Sequence, residues 1–269
     1  MKTPPLGQDL AALAPELGGS GVPVRWEHLT WPEARDATAK VNAVIIPVGA
    51  IEQHGPHLPL AVDTQIGAAV ALGVSALTGV PVVPALCYGV SGSHGDFGGT
   101  IALRPETMIA LVEDVIDSLY QRGIRQFILL NGHIWNNGVL DVSAEKLRVR
   151  HRDARVRALG YVTMYPGPEV DGHVRYGRAL MHANYFETSV MLHLYPELVR
   201  MDRATSHRDV DSFWDYRMDQ VSETGVWGRD VAEANAAHGR AEFERCILTT
   251  ARAVAAAVRE PWPDPSHRP

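Results

Sequence analysis

Two apolar runs decide what this chain can fold into. Residues 41–48 are β-branched and apolar almost without a break, and 125–130 close on the apolar run Phe127-Ile-Leu-Leu130. A strand with one wet face alternates apolar and polar residues. A strand apolar at successive positions is covered on both faces, as in a parallel sheet with helices above and below. The rest of the pattern fits. Small and aliphatic residues at helical spacing fill 63–78 and stop at Gly79, a second apolar run spans 80–86, and helical patterns over 105–123 and 137–150 flank the 125–130 strand. A further strand is expected over 155–164. Strand, loop and helix in repeated order predict a three-layer α/β/α fold with a mainly parallel sheet and helices on both faces. Ligands of such folds bind outside the carboxyl ends of the strands.

The loops leaving those ends carry the chemistry. After the first strand comes Glu52-Gln-His54-Gly-Pro-His57-Leu-Pro-Leu, followed by Asp63. Glu52 and His54 are one residue apart, so in extended chain they point the same way. Gly55, Pro56 and Pro59 then turn the chain back and let Asp63 approach the same point. Two carboxylates and an imidazole suit zinc, manganese or iron(II). After the 125–130 strand comes Asn131-Gly-His133, a second imidazole held outside the sheet edge by the asparagines Asn131, Asn136 and Asn137. Glu52, His54, Asp63 and His133 make four candidate ligands, enough for one metal with an open position or for two bridged by Asp63. Between the two sets lies a glycine-rich loop, 88–100, with Tyr88, His94 and Asp96, shaped for close backbone approach to a ligand. His182 and Glu187 follow at a loop-to-helix junction. There Glu187 either completes a metal shell or caps the helix, and His182 either shuttles protons or is an ordinary buried histidine.

The remaining segments frame this set. Thr30 and Pro32 start a helix that ends before Asn42, 183–195 reads as helix, 200–228 as a long covering loop with Trp214, Tyr216 and Trp227, and 230–259 as a long terminal helix. His173 lies in a stretch, 167–180, without clean period. One domain over 1–269 is expected, with a lead-in arm at 1–25, ordered or partly disordered, and an exposed, flexible tail at 260–269. Net charge of -6 with interspersed signs argues against a nucleic-acid or anionic-membrane partner and for a small neutral or weakly charged substrate. No window has the ~18–20 apolar residues of a membrane span, and Cys87 and Cys246 read as buried free thiols of a cytoplasmic protein.

Taken together these motifs resemble the creatininase (creatinine amidohydrolase) family: Glu52-Gln-His54-Gly-Pro-His-Leu-Pro-Leu with Asp63, Tyr88-Gly-Val-Ser-Gly-Ser-His94, Phe97-Gly-Gly-Thr-Ile, Asn131-Gly-His133, Glu187-Thr-Ser and Gly225-Val-Trp-Gly-Arg-Asp. They stand in the family's order over roughly 44–239. The resemblance implies two divalent metal ions per chain, zinc first, with manganese or iron in some members. Glu52 and His133 would bind one, His54 the other, and Asp63 would bridge. It further implies a metal-activated hydroxide that attacks an amide carbonyl, His182 protonating the departing nitrogen, and a homo-oligomer, often a hexamer. One position departs. Creatininase itself carries a metal-binding glutamate two residues after the matching histidine, whereas this chain has Trp135. Glu187 is the candidate for the missing ligand. Trp135 then either offers the substrate a flat apolar face or packs on the neighbouring helix. His94 and Tyr88 are the other candidates for substrate contact. The leading expectation is hydrolysis of a non-peptide C–N bond, a cyclic amide or formamide, in a small ring-containing metabolite. The alternatives are peptidase-like trimming of a modified precursor peptide of the mycofactocin type, and a non-catalytic metal-binding assembly protein.

Overall fold

β1 (Ala43–Val48) and β2 (Gln126–Asn131) run parallel with Val48 opposite Asn131, and β3 (Arg155–Gly160) adds to the far side of β2, giving the order β1-β2-β3. This is the centre of a computed structural model that describes residues 6–160, 182–207 and 216–263. The helices are α1 (Gln8–Ala11), α2 (Ala14–Leu17), α3 (Trp31–Val41), α4 (Val62–Thr78), α5 (Pro105–Tyr120), α6 (Asn137–Arg150), α7 (Tyr185–Leu194), α8 (Met218–Val221) and α9 (Ala236–Arg259).

The continuous apolar runs are explained by two cores, one on each face of the sheet. Ala43, Ile45, Ile128 and Leu130 point into a core with Ile66 and Val70 of α4, Met191 of α7 and Ile247 of α9. Their neighbours Val44, Ile46, Val48, Phe127 and Leu129 point the other way, onto Met108, Val112 and Ile116 of α5 and Leu140 and Leu147 of α6. Each fully buried aliphatic or aromatic side chain contributes about 1.5–3 kcal/mol. The architecture is therefore α/β with helices on both faces. α4 is its central helix, buried at every position but Gln65. Its small residues let other helices approach: Gly73 lies against Ile247 of α9, where a Cβ would collide.

Local chemistry sets the boundaries. The Thr30 N–H donates to Glu33 Oε2 at 2.7 Å, and α3 ends where Asn42 turns left-handed and its Oδ1 accepts the Arg125 N–H. The expected strand at 80–86 is instead an irregular edge. It meets β1 only through isolated bridges, Ile45 with Val82 and Val48 with Leu86, because Pro81 and Pro84 remove the donors a ladder needs. Pro47 is tolerated inside β1 for the matching reason. Its carbonyl accepts from Leu86, so its missing N–H faces the same irregular edge and costs β2 nothing.

Several expected segments are shorter than the sequence pattern. The helix from 105 stops at Tyr120, and a turn through Gly123 with φ of 95° leads into β2. α7 begins at Tyr185 because Ala183 has positive φ and Asn184 caps the helix. α9 begins at Ala236, after a 3-10 turn and the Asn235 cap, rather than at 230. The stretch expected as a covering loop holds a 3-10 turn, Met201–Arg203, and α8. In the lead-in, Leu10 and Ala14 are buried beside α4 and α9. The end of the strand expected at 155–164, the 167–180 stretch with His173, Trp214 and residues 264–269 of the tail lie outside the described residues. Among the described residues no helix is long and apolar enough to cross a membrane.

Candidate metal centre

The carboxyl ends of β1 and β2 deliver the first half of the site. The Gly132 N–H donates to the Val48 carbonyl at 2.8 Å and keeps the strand ends together, so the segments after them leave side by side. The Asn131 side chain then grips the histidine two residues on: its Oδ1 accepts the His133 N–H at 3.0 Å and its Nδ2 donates to the His133 carbonyl at 2.7 Å. Asn136 fastens the neighbouring strands, donating to the Gly49 carbonyl and accepting from the Val90 N–H. After β1 the chain folds back, with the Glu52 N–H donating to the Leu60 carbonyl, and Thr64 Oγ1 donates to the Ala50 carbonyl. These bonds carry Asp63, in the first turn of α4, to the sheet edge.

The four side chains meet there. Asp63 Oδ1 is 3.3 Å from His54 Nε2, Asp63 Oδ2 is 2.9 Å from His133 Nδ1, and Glu52 Oε2 is 3.3 Å from His133 Nε2. Glu52, His54, Asp63 and His133 are all buried. Each imidazole uses one nitrogen on the backbone: His54 Nδ1–H donates to the Glu52 carbonyl at 3.0 Å and His133 Nε2–H to the Val90 carbonyl at 3.2 Å. The other nitrogen of each faces Asp63, the outer-shell pattern that prepares histidine for a metal. Among the described residues, Glu52 Oε2, His54 Nε2 and Asp63 Oδ2 are buried with no partner outside this cluster of carboxylates and imidazoles. Such atoms call for an occupant, and oxygen and imidazole donors at this spacing fit divalent metal ions.

The electrostatics agree. Burial pushes the Glu52 carboxyl up to about 7 against the pull of His133, and burial likewise raises Glu187 to about 7. Burial alone would lower both imidazoles. The carboxylates outweigh it, Asp63 holding His54 at about 10 and Glu52, then Asp63, holding His133 at about 9. For Asp63 burial acts upward, but His54 and His133 hold it well below the usual carboxylate range. The carboxylates thus set the field of the pocket at its two histidines. The field that favours protons on its histidines favours a divalent cation, which displaces them.

The second half of the site comes from residues distant in sequence. Glu187, third residue of α7, caps the helix and faces the cluster at once: Oε2 accepts the Asn184 N–H at 3.4 Å while Oε1 lies 3.9 Å from His54 Nε2. His182 Nδ1 is 3.5 Å from Glu52 Oε1, and its Nε2–H donates to the Gln53 carbonyl at 2.6 Å. Main-chain bonds in both directions with Trp227 hold His182 in place. His94 Nδ1 is 3.4 Å from Glu52 Oε1, and its ring meets the His182 ring edge-on at 4.5 Å. Three overlapping donor groups result: Glu52, Asp63 and His133; His54, His182 and Glu187; Glu52, His94 and His182. His57 stands behind, its Nε2 bonded to Thr188 Oγ1 at 2.9 Å, and burial, then the His54 charge, lowers it to about 4.

Of the residues expected to touch substrate, His94 is in the cluster, buried on the short turn Gly92–His94. Trp135 is half-buried on the turn after His133, and Tyr88 is 44% exposed. Sequence reasoning missed Gln53. Strict alternation would send its side chain away from Glu52 and His54, yet its amide reaches His94 and His182. The signal was available in Gly55 and Pro56, which end the alternation at this point.

The model of the family described as creatinine amidohydrolase matches residues 27–254. The chain belongs to the creatininase family. Creatinine amidohydrolase of Pseudomonas putida is 32% identical over 253 residues, 88% of this chain and 96% of that protein. The mycofactocin precursor peptide peptidase of Mycobacterium tuberculosis (strain CDC 1551 / Oshkosh) is 35% identical over 240 residues, 81% of this chain and 87% of that one. Among solved structures, a zinc-zinc form of a mutant creatininase superposes with a TM-score of 0.76 at 30% identity, covering 88% of this chain and 99% of that chain. A manganese form superposes with the same TM-score at 29% identity, covering 88% and 100%. As a member of the creatininase family, the chain is a metal-dependent amidohydrolase that uses divalent metal.

Proposed function

We propose that this member of the creatininase family hydrolyses the C–N bond of a cyclic amide or formamide in a small ring-containing metabolite, with two divalent metal ions, zinc first, in the cluster. The observation that carries the reading is the Asp63 carboxylate, whose two oxygens face different histidines, 3.3 Å from His54 and 2.9 Å from His133. A carboxylate shared in this way would serve both ions. Glu52, Asp63 and His133 would hold one ion, and His54, Asp63 and Glu187 the other, Glu187 standing in for the carboxylate that Trp135 cannot supply. The ions supply Lewis acidity for the amide carbonyl and activation of water at neutral pH.

The protein's own part is positioning and proton transfer. His182 is anchored through Nε2–H on the Gln53 carbonyl, so its Nδ1 lone pair faces the cluster. Burial, then the His54 charge, lowers its pKa well below the ordinary value, which keeps Nδ1 free to accept. Nδ1 takes the proton of the attacking water and gives it to the departing nitrogen, so the amide yields a carboxylic acid and a neutral amine. Trp135, two residues after His133, and Tyr88 would offer a planar substrate flat apolar faces.

A second reading, trimming of a modified precursor peptide, is favoured by the similarity to the mycofactocin precursor peptide peptidase. One experiment separates the two. Metal per chain is measured by elemental analysis on the purified protein, and the loaded enzyme is assayed on creatinine, other cyclic amides, formamides and short peptides. About two ions per chain with turnover on the small amides is expected. Turnover on peptides alone would replace the first reading with the second, and bound metal without turnover on any of them would point to a non-catalytic role.

A further inference from the structure

The Gln53 side chain is the hub of the half of the site that no metal ligand explains. Its Oε1 accepts the Gly55 N–H at 2.9 Å, and its Nε2 lies 3.1 Å from the Gly225 carbonyl oxygen. A backbone donor and a backbone acceptor, one at each end, fix which way round the amide sits. Its fit is tight: Gly225 has φ of 74°, and a Cβ there would fall on the Gln53 amide. The NH2 group has two hydrogens and three neighbours: Gly225 O, His94 Nδ1 at 2.8 Å and His182 Nε2 at 3.1 Å. His182 Nε2 is itself 2.6 Å from the Gln53 carbonyl, which can only accept, so that nitrogen carries a hydrogen and takes none from the side chain. One amide hydrogen therefore goes to Gly225 and the other to His94 Nδ1.

We propose that Gln53 is a positioning residue that locks His94 as the neutral imidazole with its hydrogen on Nε2. Two consequences follow. With Nδ1 occupied by an amide hydrogen, His94 is not a metal ligand through that atom, although it lies 3.4 Å from Glu52 Oε1. This removes one of the three donor groups and leaves the two that share Asp63 through its contacts with His54 and His133. His94 Nε2–H, for its part, is a buried donor with no hydrogen-bond partner among the described residues. A buried N–H of this kind, in a ring packed edge-on against His182, is reserved for an acceptor atom of the bound amide. The last point rests on the amidohydrolase reading above; the state of His94 does not.

The test is long-range proton–nitrogen NMR on zinc-loaded protein labelled with 15N at histidine, which reads the hydrogen-bearing nitrogen of each ring directly. Wild type is expected to show His94 and His182 both carrying hydrogen on Nε2. Gln53→Glu places an acceptor where the amide donor was, and His94 is expected to switch its hydrogen to Nδ1 while His182 stays as it was. Metal per chain is expected to be unchanged in His94→Gln. A wild-type His94 with hydrogen on Nδ1 would overturn the proposal without any variant, as would an unswitched His94 in folded Gln53→Glu or the loss of a metal in His94→Gln. Failure of the amidohydrolase reading looks different: the same wild-type spectrum, with no turnover on the amide panel.

Discussion

The two halves of the site are built by different means. Glu52, His54, Asp63 and His133 hang from the ends of β1 and β2 and from the first turn of α4, and main-chain bonds such as Gly132 to Val48 and Glu52 to Leu60 hold them. His182 and His94 hang from short segments and Glu187 from the first turn of α7, and what gathers them is side-chain chemistry: Gln53, the Asn184 cap, and the backbone of 225–228 laid over both. Arg217 of that covering segment also pairs with Asp96 on the His94 loop. The lesson is one of tolerance. A half held by strand and helix ends keeps its shape when one side chain changes, so substitutions there read out metal chemistry. A half held by packed amides and glycines moves as a unit, so substitutions there change geometry first.

Asp63→Ala is the strongest way to test this contrast. It removes the shared carboxylate, and elemental analysis should find metal per chain falling from about two to near zero while the far-UV spectrum is unchanged. Retention of both ions would end the bridging assignment. Gly225→Ala comes next. The added Cβ displaces Gln53, and a cost of about 1–3 kcal/mol in unfolding free energy is expected together with a loss of activity of about 10–100-fold, metal content staying near wild type. Loss of metal instead would mean that the halves are not separable.

Glu187 sits on the seam and has two roles that can be split. Glu187→Ala should lose mainly one ion and about 1 kcal/mol of stability, because the cap goes with the ligand. Glu187→Gln keeps an oxygen for the Asn184 N–H, so it should recover the stability and not the metal. Equal melting temperatures for the two variants would show that the cap contributes nothing. Pro47→Val, inside β1, is the smallest expected effect, within about 1 kcal/mol, since the missing N–H faces the irregular 80–86 edge rather than β2. A larger change in thermal unfolding would show that this edge shapes the regular half.

One reactivity prediction stands outside the site. Burial, then the Glu242 charge, pushes the Cys246 thiol up to about 12, so at pH 8 almost none of it is thiolate. Mass spectrometry after alkylation of the native protein should find Cys246 unmodified, and rapid labelling would show that α9 opens.

Much of the architecture could be read directly from the residues. The apolar runs within 41–48 and 125–130 require cover on both faces, and the structure supplies it with α4, α7 and α9 on one side and α5 and α6 on the other. Gly55, Pro56 and Pro59 require a chain reversal, and Asp63 duly reaches His54. The pattern misled where apolar content competed with backbone chemistry. Val80, Val82, Val83 and Leu86 look like a strand, but Pro81 and Pro84 leave too few donors for one.

What the sequence determined by itself is therefore what depends on near neighbours: period, caps, turns and the ligand types at the strand ends. Only the tertiary structure decided that His94, Gln53, His182 and Gly225 meet. Gln53 and Gly225 are separated by 172 positions, and no local periodicity encodes such a contact. A side-chain amide finds its partners only after both cores have formed, because packing of the helices on the two faces of the sheet is what brings those loops to one edge.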